Sequence, residues 1–161
     1  MKDTSGGSAT QIRLRDYLRD ELILPQRELT AQQELFRFVN EVALENGYVN
    51  EQFLPKLIAR EEKYPTGLEL EQGAVAIPHT DADTIVKEFV AVITTKEPIE
   101  FHRMDDPAHL VRPRLFFVLG LNRPHAQVKM LQQLAAVIQN HELVTLLEQA
   151  PTPEAIRAAL E

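Results

Sequence analysis

The chain contains no cysteine. That excludes disulfides, thiolate zinc centres and cysteine nucleophiles, and it suits a reducing compartment such as the cytoplasm. No apolar run approaches the ~18–20 residues that cross a bilayer, and the first residues carry no apolar core of the signal-peptide kind. Positive charge is in short supply: 17 Lys and Arg against 24 Asp and Glu give a formal charge of −7. The basic residues are scattered rather than clustered, which argues against a nucleic-acid surface, where phosphates must be neutralised by grouped Lys and Arg. Three signatures of common enzyme classes are missing as well: no P-loop, no G-x-G-x-x-G and no G-x-S-x-G elbow. No internal repeat is visible.

What remains is a chain of 161 residues, 44% hydrophobic, enough for one domain with a proper core. Residues 1–11, with Ser5-Gly6-Gly7-Ser8, read as a flexible leader, and the domain as 12–161. Thr30 as cap, Gln33 in a capping box and Gly47 as a stop predict a helix whose face carries Leu35, Phe36, Val39, Val42 and Ala43. Asn50 predicts the cap of a second helix with Phe53, Leu54, Leu57 and Ile58, ending near Arg60 before Tyr64-Pro65-Thr66-Gly67 turns the chain. Three apolar runs follow, Ala74–Ile77, Phe89–Ile93 and Leu115–Leu119, none alternating with polar residues. Such runs suit strands covered on both faces. After a polar stretch over 97–113, Pro124 opens a helix with Val128, Leu131, Leu134, Ala135 and Ile138 on its apolar face. Asn140 predicts the cap of a short helix and Thr152-Pro153 the start of a last one. The order predicts a layered α/β sandwich.

His79 stands out. It follows Gly73-Ala-Val-Ala-Ile-Pro78, so a proline ends the strand and leaves the histidine near solvent on a rigid support. A ring held there by a carboxylate or carbonyl on one nitrogen keeps the other free as a nucleophile, and Thr80 and Asp81 are the nearest polar side chains in sequence. Arg60, ahead of the turn, is a candidate guanidinium clamp for a phosphoryl group, with Glu61 and Glu62 facing solvent. His125 stands at a helix start, where free N–H groups favour an anion, and Gln127 lies two residues on. His102, His109 and His141 read as surface residues. His79, Asp81 and Asp83, joined by His125, offer metal donors, but no zinc spacing matches, and neither metal nor cofactor is expected.

Arg60-Glu61-x-x-Tyr64-Pro65-Thr66-Gly67, then Gly73 through Ile77-Pro78-His79, resembles the IIA domains of the fructose–mannitol class of the bacterial sugar phosphotransferase system (EIIA type 2). Tyr64-Pro-Thr-Gly-Leu68, Ile77-Pro-His-Thr-Asp81 and Phe101-x-x-Met104 look most like its galactitol branch. The resemblance implies a mixed β-sheet flanked by helices. It implies that His79 takes a phosphoryl group from phospho-HPr as a tele-phosphohistidine and passes it to a cysteine of a IIB protein or domain, serving a membrane IIC permease indirectly. It also implies that Arg60 steadies the phosphoryl group, with Thr66 in the same motif. Relatives carry a helper histidine at a helix start; by register Gln127 occupies its place and His125 lies two residues early. A regulatory IIA-like module, whose phosphorylation state controls partner binding, is the alternative expectation.

Overall fold

The computed structural model describes residues 12–161, so the leader expected over 1–11 lies outside the described residues. Two strands without a polar side form the centre. Strand β4 (Phe89–Thr95) and strand β7 (Leu115–Gly120) are buried along their whole lengths and pair antiparallel from Phe89 with Gly120 to Thr94 with Leu115. Strand β1 (Leu18–Arg27) lies parallel to β4, and β3 (Ala74–Ala76) parallel to β7. Strand β2 (Gly67–Glu69) closes the far edge antiparallel to β3, giving the order β1-β4-β7-β3-β2.

Each face of the sheet is covered, which is why the runs are continuous rather than alternating. Leu115, Phe117 and Leu119 of β7 point into one apolar cluster, with Ala126, Met130 and Leu134 of helix α3 (Pro124–Ile138), Val144 and Leu147 of α4 (His141–Gln149) and Ile156 of α5 (Pro153–Leu160). Phe116 and Val118 point the other way, into a cluster with Leu35, Phe36 and Val39 of α1 (Gln32–Glu45) and Phe53 and Leu57 of α2 (Phe53–Lys63). The expected α/β sandwich is thus a three-layer domain with a mixed sheet.

Several local signals act as read. Asn140 Oδ1 accepts the Leu143 N–H (3.1 Å), Thr152 Oγ1 accepts the Ala155 N–H (3.1 Å), and Gly47 ends the first helix region at φ +78°. Others shift. The cap residue of α1 is Ala31, and it is Glu34, not Gln33, that reaches back, to the Thr30 N–H (2.8 Å). Asn50 turns the chain by accepting the Gln52 N–H (2.9 Å), and Gln52 is the cap residue of α2. Val128 is 57% exposed, because α3 meets the sheet through Ala126, Met130 and Leu134 instead.

The polar stretch 97–113 is a small hairpin, β5 (Phe101–His102) with β6 (Leu110–Val111), anchored by Phe101 against Phe36 and Phe116. It docks on β2 through the Met104 N–H to the Gly67 carbonyl (2.8 Å). The approach is close: a Cβ on Gly67 would lie 2.6 Å from the His102 carbonyl oxygen and 2.7 Å from Val111 Cγ2. Gly67→Ala is therefore expected to destabilise the fold by roughly 1–3 kcal/mol, read as a lower urea midpoint at unchanged slope.

Glu61 corrects the reading that it faces solvent. Only Glu62 does; Glu61 is 3% exposed and accepts both the Thr66 N–H and the Thr66 hydroxyl at 2.7 Å. Burial pushes its carboxyl from 4.5 up to about 7, against the lowering effect of the two Thr66 bonds and of His102. Between those values the folded chain keeps a proton that the unfolded chain has released. The contribution to stability is therefore full below about pH 4.5 and is lost as pH rises through about 7. Across that range wild-type stability is expected to fall by up to ~3 kcal/mol more than that of Glu61→Gln, measured by urea unfolding at a series of pH values.

Candidate active site

Proline sets the position of His79. Pro78 has no N–H to give the ladder, but its carbonyl accepts the Leu119 N–H (2.9 Å), and His79 forms a parallel bridge with Leu119. The ring thus leaves β3 on a backbone fixed to the central strand β7. Its Nδ1 lies 2.9 Å from the Ile77 carbonyl oxygen. A carbonyl only accepts, so Nδ1 carries the hydrogen and Nε2 holds the free lone pair. Half-burial lowers the ring's pKa below its usual value; the Ile77 carbonyl works against this, and the Arg60 cation adds to it. The result is a neutral imidazole with one defined nucleophilic nitrogen.

The partner for Nδ1 is a backbone carbonyl, not the Asp81 carboxylate that sequence proximity suggested. Asp81 instead faces cations: Arg60 Nη1 at 3.7 Å and Lys56 Nζ at 3.6 Å, while Lys56 also bonds Asp83 at 3.1 Å. The Thr80 side chain is buried. Arg60 comes from the last turn of α2, and its guanidinium lies over the Tyr64 ring, 5.1 Å from the centroid. Aromatic face on one side and carboxylate on the other leave the fork partly free.

Two adjoining depressions share Arg60 and Leu131. One, of about 280 Å³, holds His79 together with Tyr64, Pro65, Thr66, Ile77 and Met104. The other, of about 380 Å³, runs past Thr80, Asp81 and Leu121 to Arg123, Pro124, Gln127 and Val128 at the start of α3. From the first turn of α3, Pro124 and Gln127 line this groove; the Gln127 main-chain N–H is taken by the Arg123 carbonyl (3.2 Å). His125 is exposed and lines neither depression. Thr66 contributes to the wall beneath His79, but its hydroxyl is committed to Glu61.

Among the described residues, no group of three or more His, Asp and Glu side chains could hold a metal ion. His102, His109 and His141 are exposed, and none lines either depression. Sequence reading did not find the Ile77 carbonyl, a main-chain group with no side-chain signal. It also did not find the Arg60–Asp81–Lys56 ion-pair chain, although the spacing of Lys56 and Arg60, one helical turn apart, carries it.

Comparison with known proteins bears on this geometry. A family model described as "Phosphoenolpyruvate-dependent sugar phosphotransferase system, EIIA 2" matches residues 16–161. The galactitol-specific EIIA component of the phosphotransferase system of Escherichia coli (strain K12) is 30% identical over 118 residues, 73% of this chain and 78% of that protein. A Bacillus subtilis (strain 168) protein described as "Probable licABCH operon regulator" is 32% identical over 85 residues, 53% of this chain but 13% of that one. The fold of the mannitol IIA protein of Escherichia coli superposes with a TM-score of 0.74 at 20% identity, covering 89% of this chain and 99% of that one. In that protein's complex with phosphorylated IIB of the mannitol system, the TM-score is 0.70 at 22% identity, covering 89% and 96%. The chain belongs to the EIIA type 2 family of the phosphoenolpyruvate-dependent sugar phosphotransferase system, whose members are phosphotransferases that relay phosphate through a histidine.

Proposed function

We propose that His79 Nε2 accepts a phosphoryl group from phospho-HPr and hands it to a cysteine of a cognate IIB protein, in the transport of galactitol or a similar polyol. The Nδ1–H bond to the Ile77 carbonyl carries the proposal, because it leaves Nε2 unprotonated at the lip of a depression shared with Arg60. In the first transfer a bond forms between Nε2 and phosphorus as the bond to the donor nitrogen breaks. In the second, the IIB thiolate attacks phosphorus and Nε2 leaves with its electron pair. The protein's task is to place the reacting atoms and offset charge on the phosphoryl oxygens. Arg60 supplies the fork for those oxygens, and the Gln127 side-chain amide supplies a further donor.

Docking has a matching surface. Tyr64 (55% exposed), Met104 (42%) and Val128 (57%) stand around the two depressions, large apolar side chains that a folded domain ordinarily covers. A rim of this kind fits brief encounters through small interfaces. A complex between a mannitol IIA and a phosphorylated IIB is known for the structural relative, and the same face here suits a IIB partner. No helix among the described residues is long and apolar enough to cross a membrane, which agrees with a cytoplasmic carrier serving the IIC permease indirectly. The operon-regulator match keeps the regulatory module as the second reading. The galactitol-specific relative, matched over 78% of its own length against 13% for the regulator, favours transport.

Intact-mass spectrometry after incubation with phosphoenolpyruvate, enzyme I and HPr is expected to show one acid-labile phosphoryl addition on wild type and none on a folded His79→Ala. Arg60→Ala is expected to transfer about 10- to 100-fold more slowly, the size of a charge-assisted bond of ~1.5–3 kcal/mol. Gln127→Ala should slow transfer by about 3- to 10-fold, as loss of one neutral hydrogen bond would, whereas His125→Ala should match wild type in the same stopped-time assay. A reversal of those last two would move the helper role to His125.

A further inference from the structure

Three hydrogen-bonded links run from a buried carboxylate to the ring of His79. Glu61, on the last turn of α2, takes the Thr66 N–H on Oε2 and the Thr66 hydroxyl on Oε1, both at 2.7 Å. The Thr66 carbonyl accepts the Ile77 N–H at 3.2 Å. The Ile77 carbonyl in turn accepts from His79 Nδ1 at 2.9 Å. We propose that Glu61 is a positioning residue for phosphoryl transfer, fixing the tautomer and direction of His79 through Thr66 and Ile77.

The need for such a tie follows from the local strands. Strand β2 is three residues long, and its pairing with β3 ends at Gly67 opposite Ala76. Thr66 lies just beyond that ladder, where a short edge strand would fray. Its carbonyl accepts the Ile77 N–H, one residue past β3, next to the peptide whose carbonyl holds the His79 ring. Glu61 grips both donors of Thr66 and so holds the frayed end in place. A carboxyl group suits this job because its two oxygens reach the Thr66 N–H and the Thr66 hydroxyl together. Glu61 also follows Arg60 directly, and the Arg60 carbonyl accepts the Tyr64 N–H at 2.7 Å. The turn that Glu61 secures therefore includes the aromatic ring beneath the Arg60 guanidinium. One buried side chain ties the nucleophile and its cation to a common anchor.

The proposal rests on the phosphocarrier reading for its kinetic half only. The test uses three full-length chains: wild type, Glu61→Gln and Glu61→Met. Gln keeps an acceptor for the Thr66 N–H and a donor for the hydroxyl oxygen; Met keeps the length and removes both bonds. Ring nitrogen shifts of His79, from long-range proton–nitrogen spectra of each folded protein, report the tautomer without any phosphate. Wild type and Glu61→Gln are expected to show the Nδ1–H form, and Glu61→Met a mixture. Phosphorylation by phospho-HPr is expected to fall in Glu61→Met by about 10- to 100-fold in kcat at nearly constant KM, as misplacement of a reacting group would produce. Glu61→Gln should stay within a few-fold of wild type. A folded Glu61→Met with the wild-type tautomer overturns the proposal, as does a Glu61→Gln that loses the tautomer. Should Glu61→Met not fold, Thr66→Val decides, since it deletes the hydroxyl link alone: a partial tautomer mixture is expected, and an unchanged ring overturns the proposal. If the tautomer responds as expected while wild type takes no phosphate, the positioning role stands and the proposed function falls.

Discussion

Strand β7 is bonded on one flank to β4 and on the other to β3, and the last bond on the β3 side joins the Leu119 N–H to the Pro78 carbonyl. Everything chemical about the domain hangs from that bond. Strand β7 is buried along its whole length and cannot shift without moving both cores at once, because its alternate side chains belong to different clusters. A histidine tied to it inherits that rigidity. The proline then does two things, of which only the first is peculiar to it. It ends the ladder for lack of an N–H, and it still offers a carbonyl to hold the exit of the strand. The proposed nucleophile is thus near the surface while its backbone belongs to the interior.

The reach of sequence reading followed the same division. Strands β3, β4 and β7 were legible because burial on both faces leaves unbroken apolar runs. Strand β1 was not: Leu18-Arg-Asp-Glu-Leu-Ile-Leu-Pro-Gln-Arg27 has neither alternation nor a full apolar run, and it includes Pro25 and Gln26 at φ +56°. It sits at the sheet edge, where its polar first half is tolerated. Strands β2, β5 and β6 are two or three residues long, too short for any period to show. In α3 the expected stripe held at Leu134, which is buried, and in part at Leu131, which packs against the core, but not at Val128, which borders the groove while Ala126 and Met130 meet the sheet. Val128 is exposed, so a rule that sends apolar residues inward misplaces it.

The same limits apply at the site. His79 and Arg60 were visible as residue types in a recognisable setting, and the structure brings them to one depression. Glu61 was hidden because Arg60-Glu61-Glu62-Lys63 looks like a solvated charge run, and nothing in it tells one glutamate from the next. The difference arises only when the chain turns at Pro65 and presents both donors of Thr66 to a single carboxylate. The main-chain acceptor for Nδ1 has no sequence signal at all.

A relay must hold its phosphoryl group well enough to receive it and loosely enough to give it up. The surroundings of Arg60 suit both conditions if it takes the clamp role proposed for it. Its ion pair with Asp81 spans 3.7 Å between side chains 39% and 54% exposed, so water screens it and its worth is at most about 1 kcal/mol. Under the proposed function, that pair is weak enough for an arriving phosphoryl group, with its greater charge, to compete for the guanidinium. It is also strong enough to keep the long side chain over the Tyr64 ring while the site is empty, which reduces the conformational entropy lost on engagement. Asp81 is held in turn by Lys56, so releasing Arg60 does not strand a lone carboxylate beside the incoming anion. On the proposed relay the cation would pass between two anions of unequal strength, with Lys56 left to pair Asp81.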